Sequence, residues 1–152
     1  MRSKWTYQLI LLGMVVGIVC PSLLGQTPPG TQKAPNVEMI SPEDLKEKFS
    51  KNDVPTIIDV RSAESFAQST SQIKGAIHVK VRRLKYRLSF APLKNVPRDR
   101  EVITYCSCPS DESSIAAAQI LIANGFTRVR ALKGGWPQWL KVNGPVEAKA
   151  KG

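Results

Sequence analysis

Alternation constrains this chain most: short runs rich in apolar and β-branched residues are separated by segments with helical character. Pro55-Thr56-Ile57-Ile58-Asp59-Val60 is nearly continuous in apolar residues, Glu101-Val102-Ile103-Thr104-Tyr105-Cys106 is rich in β-branched ones, and Thr127 to Leu132 carries Val129, Ala131 and Leu132. Runs of this kind suit strands buried on both faces, the environment of a parallel sheet. Gly75-Ala76-Ile77-His78-Val79 reads as a fourth, shorter strand. Helices are expected from Pro42 until Lys51-Asn52-Asp53 ends the first, and over 63–67, 82–90, 113–124 and 136–142. The first has Ser41 as N-cap, Pro42 at its first position, acids in its first turn, and Leu45 and Phe49 four apart on its buried side. The fourth is stopped by Asn124-Gly125. Trp136 and Trp139 are expected in the core. Strands alternating with helices imply an α/β fold, an open parallel β-sheet flanked by helices on both faces. Residues 38–147 form the domain and 148–152 a tail, a size that supports a single core.

The first 37 residues differ in kind. Arg2 and Lys4 precede an uncharged apolar run from Leu9 to Val19, Pro21 and Ser22 break it, and Gly25 is a small residue that suits cleavage. Residues 1–25 are expected to be a signal peptide, with an uncleaved N-terminal anchor as the alternative, since the run is short for a bilayer crossing of about 20 residues. Cys20 reads as one more apolar residue of that segment. Residues 26–37, with three prolines and little that is apolar, are expected to be a tether. Export to the periplasm or the exterior would place Cys106 and Cys108 in an oxidising compartment. The net charge is +10, and removal of 1–25 would leave +8. A surplus of that size favours anionic partners.

In open α/β sheets, ligands bind at the carboxyl ends of the strands. One strand end here runs into Tyr105-Cys106-Ser107-Cys108-Pro109-Ser110-Asp111-Glu112-Ser113-Ser114 and then into a helix. A cysteine between a strand end and a helix start meets unpaired backbone N–H groups and the positive end of the helix dipole. Both stabilise a thiolate and attract oxyanions.

In order, IIDVR at 57–61, IKGAIHV at 73–79, VITYC at 102–106, SSIAAAQILIANGF at 113–126 and TRVRALKGGWPQWL at 127–140 resemble the single-domain rhodanese (sulfurtransferase) family over about residues 38–143. The resemblance implies a five-stranded parallel sheet and an active cysteine. That cysteine takes a sulfane sulfur from a small anionic donor, becomes a persulfide, and passes the sulfur to a thiol acceptor. It implies no cofactor. Its loop begins at the cysteine after the strand, which points to Cys106. Counting back from Gly125 points instead to Cys108, the favoured position, with Cys106 turned inward. The loop is then Cys108, Pro109, Ser110, Asp111, Glu112 and Ser113, and these residues are the expected substrate contacts. Many active members carry an arginine where this chain has Ser113. Asp111 and Glu112 are expected either to repel an anionic donor or to serve the helix start. Asp59 and Arg61 match the family's Asp-x-Arg. Asp59 is expected to brace the loops, and Arg61 to brace them or to contact the anion.

His78, the one histidine, reads as a core or rim residue; Cys106, Cys108 and His78 do not have metal-site spacing, and no metal is expected. Lys80, Arg82, Arg83, Lys85 and Arg87 form a basic cluster that reads as a solvated surface, a funnel for anions, or a contact for an anionic membrane surface. No nucleic-acid motif accompanies it. An exported sulfurtransferase with an atypical loop is the leading expectation. A degenerate rhodanese-like module that binds a partner or anion is the alternative, and a thiol redox protein using Cys106 and Cys108 is the third. A phosphatase or arsenate-reductase role also needs an arginine after the cysteine, which this loop lacks.

Overall fold

The computed structural model describes residues 36–149. The expected signal segment, residues 26–35 of the tether and the last three residues lie outside them. Strand β1 (Glu38–Ile40) leads into helix α1 (Pro42–Ser50), then β2 (Thr56–Asp59), α2 (Ala63–Gln68), β3 (Ser71–Ile73), β4 (Ile77–His78) and α3 (Val81–Arg87). After a 3-10 turn at Leu93–Asn95 come β5 (Val102–Tyr105), α4 (Glu112–Ala123), β6 (Val129–Leu132), α5 (Gly135–Lys141) and β7 (Val146–Ala148).

Five strands form one parallel sheet in the order β1-β6-β5-β2-β4. Ile57 pairs with Ile103 and Val102 with Val129. Because side chains alternate across a strand, β2 and β5 feed two cores. Ile58, Val60, Val102 and Cys106 pack with Leu84 and Leu88 of the α3 region and Ala117, Ala118 and Leu121 of α4. Ile57, Ile103 and Tyr105 pack on the other side with Leu45 of α1 and Trp136 and Trp139 of α5. Helices therefore cover both faces, as the continuous apolar runs require.

Local signals set several boundaries. Ser41 Oγ accepts from Asp44 N at 3.0 Å, and Pro42 opens α1. Phe49 meets Trp139 at 5.6 Å between ring centroids. Sequence reasoning missed three strands. β1 is a three-residue sheet edge, and β3 and β7 form a separate antiparallel pair in which Ile73 faces Val146. β7 carries ordered structure one residue past the expected domain end, and Lys149 N donates to Thr70 O at 3.3 Å.

Candidate active site

β5 ends at Tyr105, and the chain turns through Cys106-Ser107-Cys108-Pro109-Ser110-Asp111 into α4. Two long-range bonds hold this loop. Cys106 O accepts from Trp136 N at 2.8 Å, and the Asp111 carboxylate accepts from Gly134 N at 2.7 Å. Gly135 has φ +48° and lies so close that a Cβ there would sit 2.1 Å from Cys106 O. Glycine is required on both counts. Beneath the loop, Thr104 Oγ1 donates to Ser114 O and Ser114 Oγ donates to Asp111 O, each at 2.8 Å.

The two cysteines occupy different environments. Cys106 is buried, its Sγ 3.7 Å from Ser114 Oγ. Burial, and next its hydrogen bond to the Cys108 sulfur, push its thiol up to about 11. Cys108 is only partly buried. Burial opposes its ionisation, but donation from the Cys106 thiol and from the N–H and hydroxyl of Ser113 outweighs it, so the thiol falls below its ordinary range. Both are free thiols. Each lines a cleft of about 200 Å³ together with Ser62, Ser65, Ser107 and Ser113. That lining holds hydroxyls and thiols and no charged side chain. The Ser107 hydroxyl is buried with no hydrogen-bond partner among the described residues.

The remaining expected site residues lie elsewhere. Pro109, Ser110 and Glu112 are exposed and do not line the cleft. Asp111 precedes α4 in the left-handed region (φ 56°), a conformation that aspartate tolerates better than most residues. It stands at the N-cap of α4, with Glu112 in the first turn, but its side chain makes no cap hydrogen bond to the helix. The carboxylate is instead buried against the turn before α5. Arg61 is likewise away from the cleft lining. It is fully buried with Asp59, Nε to Oδ2 at 2.9 Å and Nη2 to Oδ2 at 2.6 Å, and Nη2 also reaches Ser71 O at 3.1 Å. Its guanidinium lies 4.5 Å over the Trp136 ring. Tyr105 Oη donates to Asp59 Oδ2 at 2.7 Å, and burial pushes that phenol well up. Asp59 and Arg61 thus tie the end of β2 to β3, β5 and α5. His78 stacks on Phe66 at 3.7 Å, with Nε2 3.2 Å from Arg61 O.

Ser62 and Ser65 were missed as cleft residues. A signal existed: Ser62 caps α2 by accepting from Ser65 N at 3.1 Å, a pattern visible directly after IIDVR. It predicts a helix start at that strand end, but not that the helix faces the cysteine loop.

An open parallel sheet that presents a cysteine between a strand end and a helix start defines a class of thiol-centred α/β domains. Within it, this chain belongs to the rhodanese-like domain family, whose model matches residues 41–142. A sulfurtransferase of Allochromatium vinosum is 28% identical over 112 residues, covering 74% of this chain and 96% of that protein. A thiosulfate sulfurtransferase GlpE of Glaesserella parasuis is 31% identical over 109 residues, covering 71% of this chain and 91% of that protein. The crystal structure of the Alr3790 protein from Anabaena sp. is similar with a TM-score of 0.61 and 26% identity, covering 74% of this chain and 94% of that one.

Proposed function

We propose that this chain is a sulfurtransferase that carries a sulfane sulfur as a persulfide on Cys108, taking it from a small anionic donor and passing it to a thiol acceptor. One observation carries this reading: Cys108 lines the cleft with its thiol shifted toward the thiolate, above a Cys106 shifted the other way. The names of the two relatives support the reaction class. The Cys108 thiolate attacks the outer sulfur of the donor, and a new S–S bond forms. The donor's own S–S bond breaks, and its electron pair leaves with the anionic remainder, sulfite in the case of thiosulfate. The persulfide anion keeps the donors that favoured the thiolate, the Ser113 N–H and the Cys106 thiol. An acceptor thiolate then takes the outer sulfur and returns Cys108 as thiolate. Intact-mass analysis of the full-length protein after incubation with several sulfane-sulfur donors tests this. A one-sulfur adduct is expected; no adduct with any donor would leave the reading without its first step.

The uncharged cleft lining favours a second reading, a rhodanese-like module that binds without transferring sulfur. Ser113→Arg separates the two. A full charge about 5 Å from one unit charge of the donor is worth about 3 kcal/mol at an effective dielectric of ~20, and screening reduces this. Thiosulfate turnover is expected to rise ~10-fold by this estimate, because the backbone N–H of residue 113 is retained. Glu112→Gln is expected to change turnover little, since that carboxylate is exposed and outside the cleft lining. Unchanged turnover in Ser113→Arg would favour the binding module.

We also propose that the protein acts outside the cytoplasm. The charged start, apolar run and proline-rich stretch of residues 1–37 support this. Cell fractionation is expected to find the chain outside the cytoplasm or held at the membrane. Full-length soluble chain in the cytoplasm would overturn the proposal.

A further inference from the structure

Charge is distributed unevenly along the domain. Residues 65–98 contain eight Lys or Arg and no Asp or Glu. Five of these cations fall on or beside α3, and they divide between two sides of the helix. Lys80, Arg83 and Arg87, at spacings of three and four, share one stripe. Arg82 and Lys85 point elsewhere. The stripe borders a cavity of about 240 Å³ at the carboxyl end of β4, lined by His78, Val79, Lys80, Arg83 and Arg87.

Nothing among the described residues neutralises this cavity. Among the described residues, none of these three cations has an ion pair or side-chain hydrogen bond; the salt bridges lie elsewhere. Asp59, which pairs with His78 across β2 and β4, has its carboxylate committed to Arg61 and Tyr105. The arrangement is unfavourable for the apo chain. Like charges at these helical spacings repel, and α3 has no acid in its first turn to meet its dipole.

We propose that this cavity is a binding site for a small, multiply charged oxyanion of the sulfate, sulfite or thiosulfate type. Lys80, Arg83 and Arg87 supply the charge and N–H donors, and His78 forms one wall. Its place relates it to the cleft through α2. Ser65 lines the cysteine cleft, and Phe66, the next residue, stacks on His78. An anionic donor or the released anion thus has a cationic station at the same carboxyl end of the sheet, while the cleft lining holds no cation. This site is independent of the chemistry assigned to Cys108.

The test uses the full-length protein and sulfate, which has no sulfane sulfur to transfer, at constant ionic strength. Calorimetric titration should show saturable binding to the wild type and to Cys108→Ser. Arg83→Gln/Arg87→Gln should lose at least ~10-fold in affinity. Arg82→Gln/Lys85→Gln removes the same charge from the other side of α3 and should stay within ~2-fold of wild type. Sulfate should raise the melting temperature of the wild type and of the control, but not of the cavity variant. It should also shift the His78 imidazole resonances in the wild type, a readout that needs no variant to fold. Equal weakening in both double variants would reduce the effect to net charge. Absence of saturable sulfate binding, or binding that leaves His78 unshifted, would overturn the site. Loss of sulfur transfer with sulfate binding intact would count only against the role of Cys108.

Discussion

In the full-length protein, Cys108→Ser is expected to abolish the one-sulfur adduct with every donor, while Cys106→Ser keeps it at a reduced rate. The difference follows from protonation and access. A thiol pushed up to about 11, as Cys106 is, is ionised to the order of only 10⁻⁴ at pH 7, and the thiolate is the nucleophile. It is also 1% exposed, so little of it is open to a donor in the cleft. Cys108 is partly exposed and shifted toward the thiolate. Serine at 106 retains an O–H that can donate toward the Cys108 sulfur; alanine does not, so Cys106→Ala should move the Cys108 titration toward higher pH. In the wild type, iodoacetamide labelling followed by peptide mapping should find Cys108 reacting well before Cys106. Labelling should rise with pH through a midpoint below that of an ordinary cysteine, because the depressed pKa shifts the rise to lower pH. A persulfide on the Cys106 peptide of Cys108→Ser would move the nucleophile to the strand end.

Asp59→Ala is expected to destabilise the domain by about 3–5 kcal/mol, the cost of leaving one member of a buried ion pair without its partner. Both side chains are fully removed from solvent. The carboxylate accepts from the Arg61 backbone and guanidinium and from Tyr105. Without it, the guanidinium keeps only Ser71 O and its ring contacts, and Nη1 already has no hydrogen-bond partner among the described residues. Urea denaturation of the full chain measures the loss. Asp59→Leu combined with Arg61→Met should recover much of it, because replacing both charges removes the orphan along with the pair. The cysteine loop should feel the single substitution as well. Arg61 lies against Trp136, whose backbone N–H holds Cys106 O. A loss within about 0.5 kcal/mol for Asp59→Ala, the scale of a neutral surface change, would mean that the pair contributes nothing beyond its desolvation cost.

The elements that carry a strong local signal were legible before folding was considered. IIDV at 57–60 and VITY at 102–105 read as strands because both faces are buried and every position can be apolar. The Ser41-Pro42 start of α1 and the Asn124-Gly125 end of α4 read from capping chemistry within one turn. β1, β3 and β7 did not, since three residues are too few to display a period and their pairing comes from distant partners. Cys108 is favoured over Cys106 in the sequence only through the family resemblance, in which the distance from the glycine that ends α4 back to the active cysteine is characteristic.

By itself the sequence determined the α/β alternation, the family, and a cysteine loop placed between a strand end and a helix. Only the tertiary structure decided where side chains of known type point. It took the Asp111 carboxylate to Gly134 and sealed Arg61 against Asp59. It brought Ser62 and Ser65 to the thiols, and gathered Lys80, Arg83 and Arg87 beside His78. Local sequence specifies backbone conformation over a few residues through sterics, capping and hydrophobic period. Direction, burial and charge neighbourhood are set by contacts between segments tens of residues apart, and these exist only once the sheet has closed them together.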